Sequence, residues 1–120
     1  MSQGLNRVVL IGHVGSTPEV GATASGARVA TFRLATDRRA PDGEARLTDW
    51  HTVVAWDRLA SEVERMVHRG DRVFVEGRLE SRTRKGRRGV SREVTEIIAE
   101  ELIPLGQRTG AQPVAGEAGE

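Results

Sequence analysis

Alternating apolar and polar positions divide most of the chain into short extended segments. Val- and Thr-rich stretches with this alternation are typical of β-strands, in which successive side chains point to opposite faces. The pattern predicts five strands, at Leu5 to Val14, Arg28 to Thr36, Leu47 to Trp56, Arg72 to Leu79 and Arg92 to Leu105. Polar or glycine-containing segments separate them, and the one around Pro41-Asp42-Gly43 is a typical turn.

The second predicted strand indicates which side of the sheet is buried. Ala30, Phe32 and Leu34 share one face, and Arg33 lies on the other. Because a charged side chain is rarely buried without a partner, the Arg33 face is predicted to point to solvent. Phe32 and Phe74 are predicted to be core residues.

A helical period replaces the alternation between residues 57 and 69. Asp57 is the predicted N-cap and Gly70 the predicted C-terminal stop. The apolar stripe of this helix consists of Leu59, Val63, Met66 and Val67.

The order of the elements predicts the fold class. Three strands, one helix and two strands, mostly joined as hairpins, indicate an all-β protein rather than alternating βα units. Five strands with one helix between the third and fourth are typical of a small Greek-key barrel, the OB-fold. In that fold, the loops between strands 1 and 2 and between strands 4 and 5 flank a face that binds oligonucleotides or oligosaccharides.

The length of the chain and a change in its composition predict the domain organisation. At 120 residues the chain is long enough for one core and too short for two. Residues 1–106 are therefore predicted to form one OB-fold domain. Residues 107–120 contain only Val114 as a core former and are predicted to be a flexible, disordered tail.

Two of the four aromatic side chains, Trp50 and Trp56, lie in the third predicted strand. Their even spacing puts both indoles on the same face. Such a pair could form a layer of the core, or a platform on which bases stack. The neighbouring polar residues Asp49, Thr52 and Asp57 make full burial unfavourable, so the sequence favours the platform.

A concentration of positive charge follows the fourth predicted strand. Residues 82–92, predicted to be a loop, hold six of the 18 basic side chains and none of the 17 acidic ones, which leaves −5 on the rest of the chain. A local positive segment on an otherwise acidic protein favours a polyanionic partner, although a solvated loop is the alternative. The phosphate-binding candidates in the segment are Arg82, Arg84, Lys85, Arg87, Arg88 and Arg92. A second set consists of Arg7, Arg33, Arg38, Arg39 and Arg46.

Several function classes are disfavoured by what the sequence contains. There is no cysteine, which excludes disulfides and thiolate metal sites and fits a reducing cytosol. The N-terminus does not resemble a signal peptide, and apolar runs such as Val8–Ile11 are too short to cross a membrane. His13, His51 and His68 lack a metal-ligand spacing, so neither a metal, a cofactor nor an enzymatic activity is expected.

A series of motifs in the sequence resembles the bacterial single-stranded DNA-binding protein (SSB) family from about residue 4 to residue 105. The motifs are Leu5-Asn6-Arg7-Val8-Val9-Leu10-Ile11-Gly12, Thr17-Pro18-Glu19, Phe32-Arg33-Leu34-Ala35-Thr36, Asp49-Trp50-His51-Thr52-Val53-Val54, Gly70-Asp71-Arg72-Val73-Phe74-Val75-Glu76-Gly77 and Thr95-Glu96. The resemblance implies an OB-fold that binds and protects single-stranded DNA (ssDNA) without reading its sequence during replication, recombination and repair. It implies a cytoplasmic, nucleoid-associated protein and a homotetramer, with a dimer as the alternative.

The resemblance also implies roles for individual residues. Trp50 and Trp56 would stack on bases. Asn6 and Val8, in the first strand, would lie where two subunits pair, and His51 would lie near the subunit interface.

The sequence departs from the family pattern in two places. The loops after the second and fourth strands carry Arg38, Arg39 and Arg84 where the family has further aromatic residues, which implies more reliance on charge. The usual acidic, apolar tip that recruits replication and repair proteins is absent from the end of this sequence. The alternative function is an OB-fold replication-restart accessory or protein-interaction module that binds nucleic acid secondarily.

Overall fold

The computed structural model describes residues 4–106, which form one sheet and one helix. In chain order the elements are β1 (Val8–Val14), β2 (Glu19–Ala22), β3 (Arg28–Arg39), β4 (Arg46–Trp56), α1 (Arg58–Met66), β5 (Arg72–Lys85) and β6 (Ser91–Gly106). The predicted tail, residues 107–120, lies outside the described residues. Helix α1 is too short and too polar to cross a membrane.

All six strands belong to a single sheet with the order β1-β5-β6-β4-β3-β2, and β1 makes an additional pairing with β3. The pairs are antiparallel except for β4 with β6, which run parallel. The helix lies between β4 and β5 in the chain, as predicted between the third and fourth predicted strands. The prediction of a mostly β protein with one helix at this point is therefore confirmed.

The predicted number of strands, five, is wrong because the segment between the first two predicted strands contains a further strand, β2. This strand has only four residues, and it pairs with β3 from Glu19 opposite Thr31 to Ala22 opposite Arg28. Gly21 and Ala22 have low strand propensity, so the local sequence carries little signal. The strand exists because β3 supplies its hydrogen bonds and Val20 packs against the core.

The basic segment 82–92 was predicted to be a loop and is instead the outer half of a hairpin. Strands β5 and β6 remain paired as far as Lys85 opposite Ser91, and a 3-10 turn at Arg87–Gly89 connects them. The alternation of apolar and polar residues that identifies a strand is absent here, because both faces of the hairpin are solvated and carry polar or charged side chains. Cross-strand pairing therefore extends the strands beyond the apolar pattern.

Helix α1 is shorter than predicted, and neither the predicted N-cap nor the predicted C-terminal stop acts as expected. Asp57 occupies the N-cap position, but its side chain makes no capping hydrogen bond. The helix ends at Met66, one turn before Gly70. Gly70 has φ +93° and donates its N–H to the carbonyl of Val14 at 2.7 Å, so its positive φ belongs to the turn that enters β5.

The core lies between the inner face of the sheet and one side of the helix. Phe32, Leu34 and Val53 are almost fully buried, and the helix adds Ala60 and Val63. The predicted inner face of the second strand is thus confirmed.

Phe74 and Met66 do not belong to this core. Phe74 is only half-buried, because it lies on the opposite face of β5 from Val73 and Val75, opposite Ile11 and Ile103 of the neighbouring strands. Met66, in the last turn of the helix, is 38% exposed.

Candidate nucleic-acid interface

The two tryptophans lie on the outer face of β4. Trp50 is 51% exposed and Trp56 is 40% exposed, while Val53 and Ala55 on the inner face are fully buried. The prediction that the indoles share a face and are not core residues is confirmed. We call the outer surface of β3, β4, β5 and β6 on this side the tryptophan face.

The indole of Trp50 rests on a site made of small residues. Its strand neighbour on β3 is Ala35, and beyond it the ring reaches Gly15 at the end of β1. A Cβ atom added to Gly15 would lie 2.7 Å from Cη2 of Trp50 and closer still to Cζ3, so only glycine leaves room for the ring here. Small residues on both strands thus allow the indole to pack against the backbone.

Arg33 lies beside the same indole, and hydrogen bonds of its backbone fix its position. Its guanidinium carbon lies 5.1 Å from the centroid of the Trp50 ring, which is a cation–π contact. The backbone of Arg33 donates to Oγ of Ser16 at 3.1 Å and accepts from the N–H of Gly15 at 2.8 Å. Arg33, a predicted phosphate contact, is therefore part of the Trp50 site.

Trp56 forms a wall of a pocket of about 310 Å³ on the tryptophan face. We call it the Trp56 pocket; it is lined by Val29 and Thr31 of β3, Val54 and Trp56 of β4, Glu80 and Arg82 of β5, and Glu96 and Ile98 of β6. Four strands contribute to it, so it depends on their register. Its volume is sufficient for a nucleobase.

Ion pairs occupy the β5–β6 side of this pocket. Arg82 donates from Nε and Nη2 to the two carboxylate oxygens of Glu96, at 3.2 and 3.0 Å. Arg78 donates to Glu80 at 2.7 Å and to Glu100 at 3.1 Å. These hydrogen bonds raise the pKa of both arginines above the ordinary value.

The β3–β4 hairpin holds three further candidates. Arg38 donates from Nε to Oδ2 of Asp49 at 2.7 Å, and this hydrogen bond lowers the pKa of Asp49 below its ordinary value. Arg39 donates from Nη1 to the carbonyl of Gly43 at 3.0 Å, so it folds back on its own hairpin. Arg46 lies directly opposite Arg39 in the register and is exposed.

The tip of the β5–β6 hairpin carries the remaining basic candidates. Arg84, Lys85, Arg87 and Arg92 line a groove of about 510 Å³, and Arg88 lies in the 3-10 turn. Within residues 4–106, none of these five side chains has an ion-pair partner. Unpaired cations on an exposed hairpin can contact phosphate without first breaking a salt bridge.

Four candidates lie away from the tryptophan face. Arg7 pairs with Glu76 of β5 on the β1 side of the sheet. The Asn6 side chain bonds both backbone groups of Leu79, at 2.8 and 2.9 Å, and so extends the β1–β5 pairing. The side chain of Val8 packs against the core. His51 shares a hydrogen bond of 2.8 Å between its Nε2 and Oγ1 of Thr36.

The geometry supplies no metal centre within the described part of the chain. No group of three or more His, Cys, Asp or Glu side chains there could hold a metal ion. What the site does provide is two half-exposed indoles on one face and a cationic hairpin beyond them.

Comparison with known proteins identifies the family. A family model described as "Single-strand binding protein family" matches residues 5–105. The chain belongs to the single-strand binding protein family. The "Single-stranded DNA-binding protein 1" of Chlorobaculum tepidum is 39% identical over 112 residues, which covers 90% of this chain and 69% of that protein. The "Single-stranded DNA-binding protein" of Bacteroides thetaiotaomicron is 41% identical over 125 aligned positions, covering 95% and 78%.

A solved structure supports the same assignment. The chain is similar to one in a structure titled "Plasmodium falciparum SSB complex with ssDNA", with a TM-score of 0.80 and 33% sequence identity. The match covers 88% of this chain and 99% of that one. The resemblance to the SSB family stated from sequence motifs is therefore confirmed.

Sequence reasoning about this SSB-family chain missed the residues that support the indoles and those that compete with phosphate. Alternation does not indicate that Gly15 makes room for Trp50, nor that Glu80 and Glu96 pair with neighbouring arginines. Alternation alone places Glu80 on the same face as Arg82, which is a usable signal. The pairing of Arg82 with Glu96 requires the β5–β6 register, which alternation does not supply.

We predict that Gly15→Ala displaces the indole of Trp50 in this SSB-family chain. The added methyl group overlaps the ring, so the ring must leave its site, with a loss of about 1–3 kcal/mol of stability from overpacking. In a Trp56→Phe background, Trp50 should become more accessible to acrylamide quenching. Gly21→Ala, where an added Cβ meets nothing within 4 Å, is the matched control. Unchanged quenching in Gly15→Ala would show that the indole does not depend on this glycine.

Proposed function

We propose that this chain binds ssDNA without reading its sequence, by stacking bases on Trp50 and Trp56 and by contacting phosphates from the hairpin tip. The observation that carries the proposal is the pair of half-exposed indoles on one sheet face, with unpaired cations beyond it. Base stacking on aromatic side chains tolerates any base, because every base has a π-face. Membership of the single-strand binding protein family supports the same function.

We also propose that the sheet is an OB-fold barrel to which β2 adds an edge. The pairings run from β1 through β5, β6, β4 and β3 and return to β1, which supports a closed circuit of strands. The β5–β6 hairpin is then the connection between the last two strands of the barrel, which flanks the oligonucleotide-binding face of this fold. Residues 1–106 would constitute the domain and 107–120 a tail.

The phosphate contacts are proposed to fall into two sets. Arg84, Lys85, Arg87, Arg88 and Arg92 at the hairpin tip are the primary set, because they are free of ion pairs among the described residues. The second set must give up an intramolecular contact to reach phosphate. Its members are Arg7, Arg33, Arg38, Arg39 and Arg82. Arg46 also belongs to the second set but has no such contact to give up, because the residue opposite it in the register is another arginine, Arg39.

In the cell, such a protein would cover and protect ssDNA during replication, recombination and repair. This role places it with the chromosome, in the cytoplasm and at the nucleoid. No catalytic step is included in the proposal.

We further propose that the chain forms a homo-oligomer through β1. Residues Val8–Gly12 pair with β5 along one edge, whereas β3 covers the other edge only at His13 and Val14. Val9 is 54% exposed and Ile11 49% exposed on the outer face of this strand. A free strand edge with exposed apolar side chains is a template for pairing with a second copy around a two-fold axis. Asn6, Val8 and His51 remain the proposed interface residues, with a tetramer favoured over a dimer.

We predict that Trp50→Ala and Trp56→Ala each weaken binding to oligo(dT) by about 1–3 kcal/mol and leave the salt dependence unchanged, because stacking releases no counterions. Fluorescence anisotropy of labelled oligo(dT) at several salt concentrations measures both quantities. Phe32 and Phe74 supply no exposed control, so Met66→Ala, an exposed apolar truncation on the helix, serves instead. Unaltered affinity in both tryptophan variants would favour the protein-interaction alternative.

We predict that replacing Arg84, Lys85, Arg87 and Arg88 together by Gln flattens the plot of log affinity against log salt by about 3 units. Each phosphate neutralised on a single strand contributes about −0.7 to that slope. The control replaces four arginines away from the hairpin tip by Gln and so removes the same charge: Arg58 and Arg65 in α1, Arg69 in the following turn and Arg72 at the start of β5. Equal slopes in the two variants would mean that the tip acts only through net charge.

We predict that light scattering gives a mass several times the 13.1 kDa of one chain, fourfold for a tetramer or twofold for a dimer. Ile11→Lys should lower this mass, because it places a charge on the exposed face of β1. Met66→Lys changes an exposed apolar residue elsewhere and should leave the mass unchanged. A monomeric wild-type chain would contradict the proposed interface.

A further inference from the structure

The Trp56 pocket is acidic, although it lies on a surface that suits a polyanion. The charged groups that line it are two carboxylates, those of Glu80 and Glu96, and one guanidinium, that of Arg82. The two glutamates are directly opposite each other in the β5–β6 register. Like charges in directly opposite positions destabilise a sheet, so their presence requires compensating contacts.

Those contacts remove Arg82 from the set of groups that are free to bind phosphate. Glu96 is engaged by two nitrogens of Arg82, and its side chain is only 12% exposed. Bidentate guanidinium–carboxylate pairs are among the strong hydrogen-bonded pairs in proteins. The Glu80 carboxylate accepts from Arg78 through Oε2 and is 49% exposed. Glu80 lines the pocket, whereas Arg78, which partly offsets its charge, does not.

The remainder of the pocket is suited to an uncharged, flat group. Trp56 forms one wall, and Val54 and Ile98, paired across β4 and β6, lie between it and the carboxylates. A base gains stacking and apolar contact there. A phosphate would meet two carboxylates within the screening length, which is about 10 Å at 0.1 M salt.

We propose that Glu80 and Glu96 make the Trp56 pocket a subsite that admits a base and rejects phosphate. This inference rests on the proposed function. In it, the two carboxylates cause the protein to prefer strands that carry bases over polyanions that do not. Repulsion of the wrong ligand is a general means of specificity. The strand then places a base at Trp56, and its phosphates run outward to Arg84, Lys85 and the rest of the hairpin tip.

The test compares Glu80→Gln and Glu96→Gln with Glu100→Gln. Glu100 accepts from the same Arg78 as Glu80, at 3.1 Å, but does not line the pocket. Two probes are used: labelled oligo(dT), and an oligonucleotide of equal length made of abasic nucleotides. Inorganic polyphosphate is added as a competitor. If Glu96→Gln fails to fold by circular dichroism, the exposed Glu80→Gln carries the test alone.

We expect both pocket variants to bind the abasic strand about threefold or more tightly than wild type, the effect of one unit charge about 6 Å away in water. Polyphosphate should displace oligo(dT) at a correspondingly lower concentration. The ratio of affinities for oligo(dT) and the abasic strand should fall, and Glu100→Gln should leave that ratio unchanged.

Two results would overturn the inference, and they are distinguishable. If all three variants strengthen binding to both strands by the same factor, the carboxylates contribute only net charge, and ssDNA binding itself still holds. If the wild-type chain does not bind oligo(dT), the proposed function fails and this inference with it.

Discussion

The burial of the inner face of β4 is the constraint on which the binding surface depends. Val53 and Ala55 are fully enclosed, and the alternation of a strand then forces Trp50 and Trp56 to the opposite face. A slip of one residue in the register would exchange the two faces, placing the indoles in the core and the small residues in solvent. The same packing that stabilises the fold therefore displays the aromatic surface.

The neighbours of β4 determine what each indole can do. On one side, Ala35 and Gly15 leave space for Trp50 to lie against the backbone, where Arg33 contacts it. On the other, the parallel pairing with β6 aligns Val54 with Ile98 and opens the pocket beside Trp56. The two tryptophans thus occupy different environments, although they belong to the same strand face: Trp50 lies beside the guanidinium of Arg33, and Trp56 lines a pocket with two carboxylates and one guanidinium.

The basic side chains on this surface differ in their pairing between the Trp56 pocket and the hairpin tip. Arginines near the pocket are paired with carboxylates, as in Arg82 with Glu96, whereas the cations at the hairpin tip have no such partners in residues 4–106. The pairing lowers the net positive charge beside Trp56. Positive charge is instead concentrated at the outer end of β5 and β6, beyond the tryptophan face.

The sequence by itself determined the class of the protein, the helix between two groups of strands, the outward direction of both tryptophans and the family. These features follow from local alternation and short motifs. Only the tertiary structure decided the existence of β2, the extension of the β5–β6 hairpin to Lys85, and the partners of Arg38 and Arg82. Each of these depends on which residues face one another across strands, and the register is set by packing between distant segments rather than by local sequence.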